Sequence, residues 1–356
     1  MRIFAAHLLN DYSGSPKVLM QLIKGWQREG HTVHLHTSAR REGFLSNILE
    51  ISRHTFWYRL AKNPYIRLIF LCWSQLMLFF QLFVTIKKED IVYVNTVLPF
   101  GAALAGKIKG SQVIYHIHET SIKPLIFKKI LFYIIAKTAD KVIYVSKYLA
   151  ENEPVKHVKS YTLHNALPEE FMLRAKLFKK PSNSAQNALM VCSLKDYKGV
   201  NEFALLALDN PGLNFRLVLN ATQPEVEAYF QDSRPANLTI YATQTDLHPH
   251  YQWADLILNL SRPDGWIETF GLTIIEAMAY SLPAIVPPIG GITELIDVNE
   301  NGFQVNSRER ELLNSTLQYL CQNDEAYKRM SLVAGQKLSA FTEANFLLRS
   351  GHILLD

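Results

Sequence analysis

The stretch Leu256-Ile-Leu-Asn-Leu260-Ser-Arg-Pro-Asp-Gly265-Trp-Ile-Glu268-Thr-Phe-Gly271-Leu-Thr-Ile-Ile-Glu276-Ala-Met-Ala-Tyr280-Ser-Leu-Pro283-Ala-Ile-Val-Pro-Pro-Ile-Gly290-Gly291-Ile-Thr-Glu294 decides how this chain folds. It opens on a short apolar run at 256–260 and reaches another at 283–287, each of strand length. Between them lie a loop rich in Pro, Gly and polar residues and a helical pattern over 271–280. Strand, crossover helix and second strand make the repeating unit of a parallel sheet. On this reading Glu268 sits in the loop after the first strand, and Glu276 lies about one and a half turns into the helix.

The alternation continues in both directions. Upstream, Ala188–Cys192, Phe215–Asn220 and Leu238–Tyr241 read as strands, with helices near 199–208 and 224–231, and a further helix follows at 308–322. The amino-terminal half repeats the scheme: strands at Ile3–His7, Thr32–Thr37, Ile91–Asn95, Gln112–Ile117 and Lys141–Ser146, with helix-length segments at 15–29, 65–88, 99–109 and 124–138. Two doubly wound α/β units are implied. Residues 1–172 form the first and 188–337 the second, with 173–187, rich in Lys, Ser, Asn and Pro, as an exposed linker. Open sheets bind ligands at the carboxyl ends of their strands, so two units face to face would enclose one cleft.

A length of 356 residues suits two cores better than one. Hydrophobic residues at 48% and charged residues at 19% exclude a disordered chain. Cys72, Cys192 and Cys321 lack the spacing of a disulfide framework or a zinc site. The amino terminus enters a strand without a signal-peptide pattern, so a cytoplasmic location is expected. The net charge of +5 hides an asymmetry: residues 1–170 carry 22 Lys and Arg against 12 Asp and Glu, and the remainder 15 against 20. A basic half can attract an anionic membrane surface or a phosphorylated ligand. No nucleic-acid-binding motif is present, so nucleic acid is not an expected partner.

Residues 261–294 resemble the donor-site signature of the retaining glycosyltransferases of GT-B architecture, the group 1 or family 4-like enzymes. The matching pieces are the two glutamates Glu268 and Glu276 with seven residues between them, Thr269-Phe270-Gly271, Glu276-Ala-Met-Ala, Pro283-Ala-Ile-Val and Gly290-Gly291-Ile-Thr-Glu294. The resemblance implies that Glu276 accepts hydrogen bonds from a nucleotide ribose and that Glu268 faces the donor sugar. The amides at Phe270, Gly271 and Leu272 would meet the diphosphate, since a helix start carries unpaired N–H groups and positive potential. Val191-Cys-Ser-Leu-Lys-Asp-Tyr-Lys198-Gly199 resembles the family's strand-to-loop phosphate segment, with Lys198 as the cation on the departing diphosphate. Where the family usually has an arginine this chain has Ser193, with Lys195 as the candidate substitute. Thr243, in the backbone-lined pocket near Ala242–Gln244, is expected to read the base.

In the first half, Leu9–Pro16 occupies the place of the family's glycine-rich loop, and only Gly14 matches. His118, in His116-Ile-His118-Glu119, best matches the family's histidine near the reacting sugar; His116 shares its sheet face and stays open. Asn165 resembles a structural residue at the end of the first domain, and a helix near 338–356 is expected to return to that domain. The resemblance further implies transfer with retention of configuration, from a UDP- or GDP-linked sugar to a glycan or lipid-linked acceptor of surface-polysaccharide or lipopolysaccharide synthesis. No Asp-x-Asp occurs, so neither a metal nor another cofactor is expected. Competing readings are a sugar-nucleotide epimerase on the same fold and a non-catalytic partner subunit. A Rossmann dehydrogenase is disfavoured, because no Gly-x-Gly-x-x-Gly follows the first strand.

One segment stands apart. Over 65–86 Arg67, Ser74 and Gln81, continued by Lys88, recur every seven residues as a narrow polar seam, and apart from Gln75 and Thr85 the rest of the segment is apolar. Three readings are open: a core helix, an interfacial helix on a membrane, and a span. With Lys123, Lys128, Lys129 and Lys137 set among apolar residues, peripheral attachment to anionic lipid is an expected property.

Overall fold

The computed structural model describes residues 1–177, 184–231 and 234–356 and divides into two compact units, 1–164 with 346–356, and 165–345. In the first unit the strands are β1 (Arg2–His7), β2 (Thr32–Ser38), β3 (Ser52–Phe56), β4 (Ile91–Asn95), β5 (Gln112–Ile117), β6 (Lys141–Tyr144) and β7 (Lys159–Thr162). They form one parallel sheet in the order β3-β2-β1-β4-β5-β6-β7. The chain leaves β1 toward β2 and later returns to its other side at β4. Loops therefore part at the carboxyl ends of β1 and β4, where open sheets place their ligands.

The helices of this unit are α1 (Gly14–Arg28), α2 (Pro64–Phe83), α3 (Phe100–Lys109), α4 (Leu125–Thr138) and α5 (Lys147–Asn152). In α1 the apolar positions Val18, Leu19, Leu22, Ile23 and Trp26 repeat at helical spacing and are all buried. Each such side chain contributes about 1.5–3 kcal/mol when removed from water. Helix α2 starts where Asn63 accepts hydrogen bonds from the N–H groups of Tyr65 and Ile66 at 2.9 and 3.3 Å, with Pro64 in the first turn. It ends at Phe83, five residues short of the expected 88. Its polarity is inverted: Ser74 and Gln75 face inward with Leu71, Leu78 and Leu82, while Ile69, Trp73, Leu76 and Phe80 face out. Gln75 accepts a hydrogen bond from the Gly101 N–H at 3.1 Å, joining α2 to the start of α3. The core-helix reading therefore holds for one face of α2 alone.

In the second unit α6 (Glu169–Lys176) leads, beyond the undescribed 178–183, to β8 (Asn187–Ser193), and β9 (Asn214–Asn220), β10 (Leu238–Tyr241), β11 (Leu256–Leu258), β12 (Ala284–Val286) and β13 (Gly302–Gln304) follow. Their parallel order is β10-β9-β8-β11-β12-β13, with the switch between β8 and β11. The helices are α7 (Val200–Asp209), α8 (Gln223–Phe230), α9 (His248–Trp253), α10 (Leu272–Met278), α11 (Arg310–Gln322) and α12 (Asp324–Lys337). Finally α13 (Glu343–Leu355) leaves this unit, and from Phe346 onward it belongs to the first.

The division at His164 corrects the boundary expected at 172, because α6 belongs to the second unit. The segment read as a linker, 173–187, starts inside α6, and its residues 178–183 lie outside those described. The returning segment, expected from 338, begins with a 3-10 turn at Leu338–Phe341 that stays with the second unit. Within the first unit, Lys141 Nζ donates to the carbonyl of Ile353 at 2.7 Å, and Trp26 Nε1 to Ser350 Oγ at 3.3 Å. Both contacts dock α13 by polar groups buried in an apolar setting.

Candidate active site

The site grows from the switch point of the second sheet. After β8 the chain makes a 3-10 turn, Asp196–Lys198, and enters α7 through Gly199 at φ +79°. A Cβ on Gly199 would stand 2.2 Å from the carbonyl oxygen of Leu260, so the turn lies flat on the chain leaving β11. Only glycine permits both the backbone conformation and the approach. Lys198 is thereby aimed at Glu268, with which it forms an ion pair.

Glu268 sits in the loop after β11 and also accepts from Ser261 Oγ at 2.8 Å. The loop is held on both sides. Asn259 Oδ1 accepts from the Ser261 N–H at 3.1 Å, and the Tyr197 carbonyl accepts from the Arg262 N–H at 2.7 Å. Behind it, a Cβ on Gly290 at φ +110° would lie 2.4 Å from the Glu268 carbonyl oxygen. Lys198 Nζ also stands 4.9 Å from the Trp266 ring centroid, and Trp266 stacks on Tyr197.

The side chains of Lys198 and Glu268 keep 15% and 16% exposure, so the pair is shielded but reachable. Burial pushes the Glu268 carboxyl up, yet the Lys198 charge and hydrogen bonds from Lys198, Ser261 and Asn259 outweigh it and hold it below the usual range. The carboxylate is therefore ionised at neutral pH. Nearby Cys192 is pushed up to about 12 by burial and stays a thiol, so it offers no nucleophile.

Glu276 is almost fully buried in α10, and Tyr251 of α9 donates to its Oε2 at 2.7 Å. Burial and the Glu276 charge hold the Tyr251 hydroxyl well above its ordinary value, so it remains a donor. Helix α10 begins at Leu272, preceded by Gly271 at φ +105° and without a side-chain cap. Thr269 and Leu272 are half-buried around this start. The Phe270 side chain is buried and packs edge-on against Phe341.

Ser193 ends β8, and its carbonyl accepts from the Lys195 N–H at 2.8 Å. The Lys195 side chain is exposed and its charge is felt by Glu225 in α8, whereas Lys198 engages Glu268. Thr243 donates its hydroxyl to the Ala221 carbonyl at 3.0 Å beyond the ends of β9 and β10. These strands are parallel to β8 and β11, so Thr243 and Glu268 issue from the same edge of the sheet.

In the first unit the strand ends carry a histidine cluster. His118 Nε2 lies 3.0 Å from Asn95 Oδ1, and Asn95 Nδ2 lies 3.1 Å from His7 Nδ1 and donates to the Ser15 carbonyl at 3.1 Å. Asn95 thus ties His118 to the first turn of α1, where Gly14 sits. His116 is fully buried and its Nδ1 meets the Tyr93 hydroxyl at 2.9 Å, while His118 is half-buried at the sheet edge. Burial and neighbouring His116 and His7 keep the His118 imidazole neutral at physiological pH. Glu119, which the sequence reading left without a role, has its carboxyl pushed up to about 7 by burial.

Tyr251, Ser261 and Trp266 were likewise without assigned roles. Ser261 and Trp266 lie within the motif itself, so proximity to Glu268 was the available signal; Tyr251, 25 residues before Glu276, carried none.

Two doubly wound parallel sheets, one in each unit, are the architecture of the GT-B class of glycosyltransferase. The family described as glycosyl transferases group 1 matches residues 174–336, and glycosyltransferase family 4 matches residues 12–152. The chain belongs to the group 1 glycosyltransferases. It is 29% identical over 126 residues to mannosylfructose-phosphate synthase of Agrobacterium fabrum and 32% identical over 74 residues to sucrose-phosphate synthase of Spinacia oleracea. These matches cover 35% and 21% of this chain and only 27% and 7% of those relatives. Among solved structures, Anabaena HepE with UDP and glucose superimposes with a TM-score of 0.80 at 17% identity, covering 100% of both chains. Sucrose-phosphate synthase of Thermosynechococcus elongatus gives 0.79 at 15% identity over 99% of this chain and 98% of that one. At such identities the likeness is one of fold.

Proposed function

We propose that this glycosyltransferase moves a sugar from a UDP- or GDP-linked donor to a glycan or lipid-linked acceptor, with retention at the anomeric carbon and without a metal ion. The Lys198–Glu268 pair carries this reading: a shielded cation at a sheet switch point whose carboxylate partner is held by other donors. A diphosphate entering there competes for Lys198, whose charge then stabilises the phosphate oxygen as its bond to the anomeric carbon breaks. The acceptor oxygen bonds to that carbon on the same face, and its proton passes to the departing phosphate. Glu268, kept ionised, accepts hydroxyls of the donor sugar, and Glu276 accepts those of the ribose with Tyr251 fixing its orientation. His118, neutral, hydrogen-bonds a hydroxyl near the reacting carbon.

UDP is favoured by HepE, solved with UDP, and with UDP and glucose. A cytoplasmic role in surface-polysaccharide or lipopolysaccharide assembly is supported by the basic excess of residues 1–170 and the outward apolar stripe of α2.

Isothermal titration with UDP, GDP and ADP, paired with a transfer assay, tests the reading. UDP or GDP binds, Glu276→Ala weakens that binding at least about tenfold, and Lys198→Ala lowers turnover about 10²–10³-fold. Near-normal transfer by both variants overturns the site, and binding of no nucleotide points instead to a partner subunit. Inversion in the product overturns retention, and loss of turnover on chelation overturns metal independence.

A further inference from the structure

The outward stripe of α2 and the neighbouring face of α4 share an unusual composition. On α2, Tyr65, Ile69, Trp73, Leu76 and Phe80 are exposed, Tyr65 by 78% and Trp73 by 56%. On α4, Leu125, Ile126, Ile130 and Tyr133 are exposed, the first two by 70% and 69%. Both helices pack against α3, and right-handed crossovers between the parallel strands set all three helices on one face of the sheet. Helix α3 is built of Gly and Ala on its buried face, and a Cβ on Gly106 would lie 2.8 Å from the Val113 side chain, so α3 sinks toward the sheet. The bulkier α2 and α4 flank it in one layer, with exposed Ile108 near the end of α3.

The charges on this layer have one sign. Residues 59–86 hold Arg59, Lys62 and Arg67 and no Asp or Glu, and residues 121–139 hold Lys123, Lys128, Lys129 and Lys137 and again no acid. Lys128 is paired with Glu153, but Lys123, Lys129 and Lys137 are exposed among the apolar side chains. Lys109 at the end of α3 lies 4.4 Å from the Phe83 ring centroid.

We propose that the first unit docks on an anionic lipid bilayer through the α2–α3–α4 layer, with α2 lying in the plane of the interface. Large apolar side chains enter the acyl boundary while lysines meet the headgroup charge. Helix α2 is long and apolar enough to cross a membrane. Its inner stripe is nevertheless engaged with α3 through Gln75 and Gly101, so a single face is free for lipid. A second copy of the chain fits this face poorly, because pairing like surfaces would set lysines against lysines. The docking does not depend on the donor reading, since nucleotide binding and vesicle binding are separate measurements.

Flotation of the full chain with phosphatidylglycerol–phosphatidylcholine vesicles, against phosphatidylcholine alone, tests it. The protein floats with the anionic vesicles at low salt, and about 0.5 M salt releases much of it by screening. Trp73→Ser combined with Leu125→Ser and Ile126→Ser lowers partitioning by tenfold or more, and Lys129→Glu with Lys137→Glu lowers it by about fivefold per lysine or more. An unchanged thermal unfolding midpoint shows that the variants, altered only on the surface, still fold. Wild-type protein that stays in solution with anionic vesicles at low salt overturns the proposal, as does a triple variant that floats as well as wild type. So does a concentration-dependent dimer, seen by sedimentation without lipid, that the triple variant abolishes.

Discussion

A glutamate in contact with a lysine inside a half-shielded loop owes its charge state to that partner. Without Lys198, burial would dominate at Glu268 and raise its pKa, since the opposing charge and its hydrogen bond are both lost. With Lys198 present, Glu268 contributes stability that is present above the unfolded carboxylate value and lost as pH falls through its depressed folded value. In Lys198→Met, therefore, the acid limb of kcat/KM moves to higher pH, which a pH–rate profile of the residual activity reads; an unmoved limb would separate Glu268 from the reaction. Tyr251 acts one step further away. Tyr251→Phe removes one hydrogen-bond donor from a buried carboxylate, a loss of about 1–3 kcal/mol, and raises the donor KM about tenfold with little change in kcat. Glu268, Glu276 and Lys198 were legible because their spacing lies within one continuous stretch or beside a glycine. Tyr251 was not, because a residue that acts by touching another across the fold leaves no local pattern.

At the scale of elements, two glycines hold the site together by what they lack. Gly199 brings the Lys198 turn onto Leu260, and Gly290 brings its loop onto Glu268. Gly199→Ala combines positive-φ strain with backbone overlap and costs about 3 kcal/mol or more. Gly30 has φ +80° but nothing within 4 Å of an added Cβ, so Gly30→Ala costs only the conformational part, about 1–2 kcal/mol. Urea unfolding compares the two, and UDP affinity falls in the first alone; equal effects on both would refute the clamp. The central strands were readable because both faces are buried and the sequence is apolar throughout, as in Ile91-Val-Tyr-Val-Asn95. Strands β3, Ser52-Arg-His-Thr-Phe56, and β7, Lys159-Ser-Tyr-Thr162, escaped notice because they are sheet edges, half in water, with no apolar run to mark them. The amphipathicity of α2 misleads for a different reason: Ser74 of its seam and the adjacent Gln75 turn inward, where Gln75 serves the Gly101 N–H rather than water outside.

The molecule as a whole should be acid-sensitive through its first unit. His36 and His116 are held down to about 3 by burial, and His7 and His118 are lowered for the same reason. Unfolded imidazoles take up protons below about 6.5 that the folded ones refuse, so stability falls as pH drops from there toward 3. Each histidine steepens that fall by up to about 1.4 kcal/mol per pH unit. Glu119 works in the opposite sense, its folded carboxyl near 7 lying above the unfolded value, but it is one group against four. Urea unfolding at pH 7, 6 and 5 should show the slope, and His36→Leu should flatten it by about one proton; a slope unchanged in the variant would count against this assignment.

The path of α13 governs the order in which the chain can fold. Residues 346–356 complete the first unit, where Lys141 is buried against the Ile353 carbonyl and Trp26 against Ser350. The half that leaves the ribosome first therefore waits, with those two polar groups unmatched, until the intervening 165–345 have been made and folded or bypassed. Synthesis from the amino end normally lets domains mature in sequence. Here the earlier-born unit is completed only after the later one has been made, and its closing step is the arrival of residues 346–356.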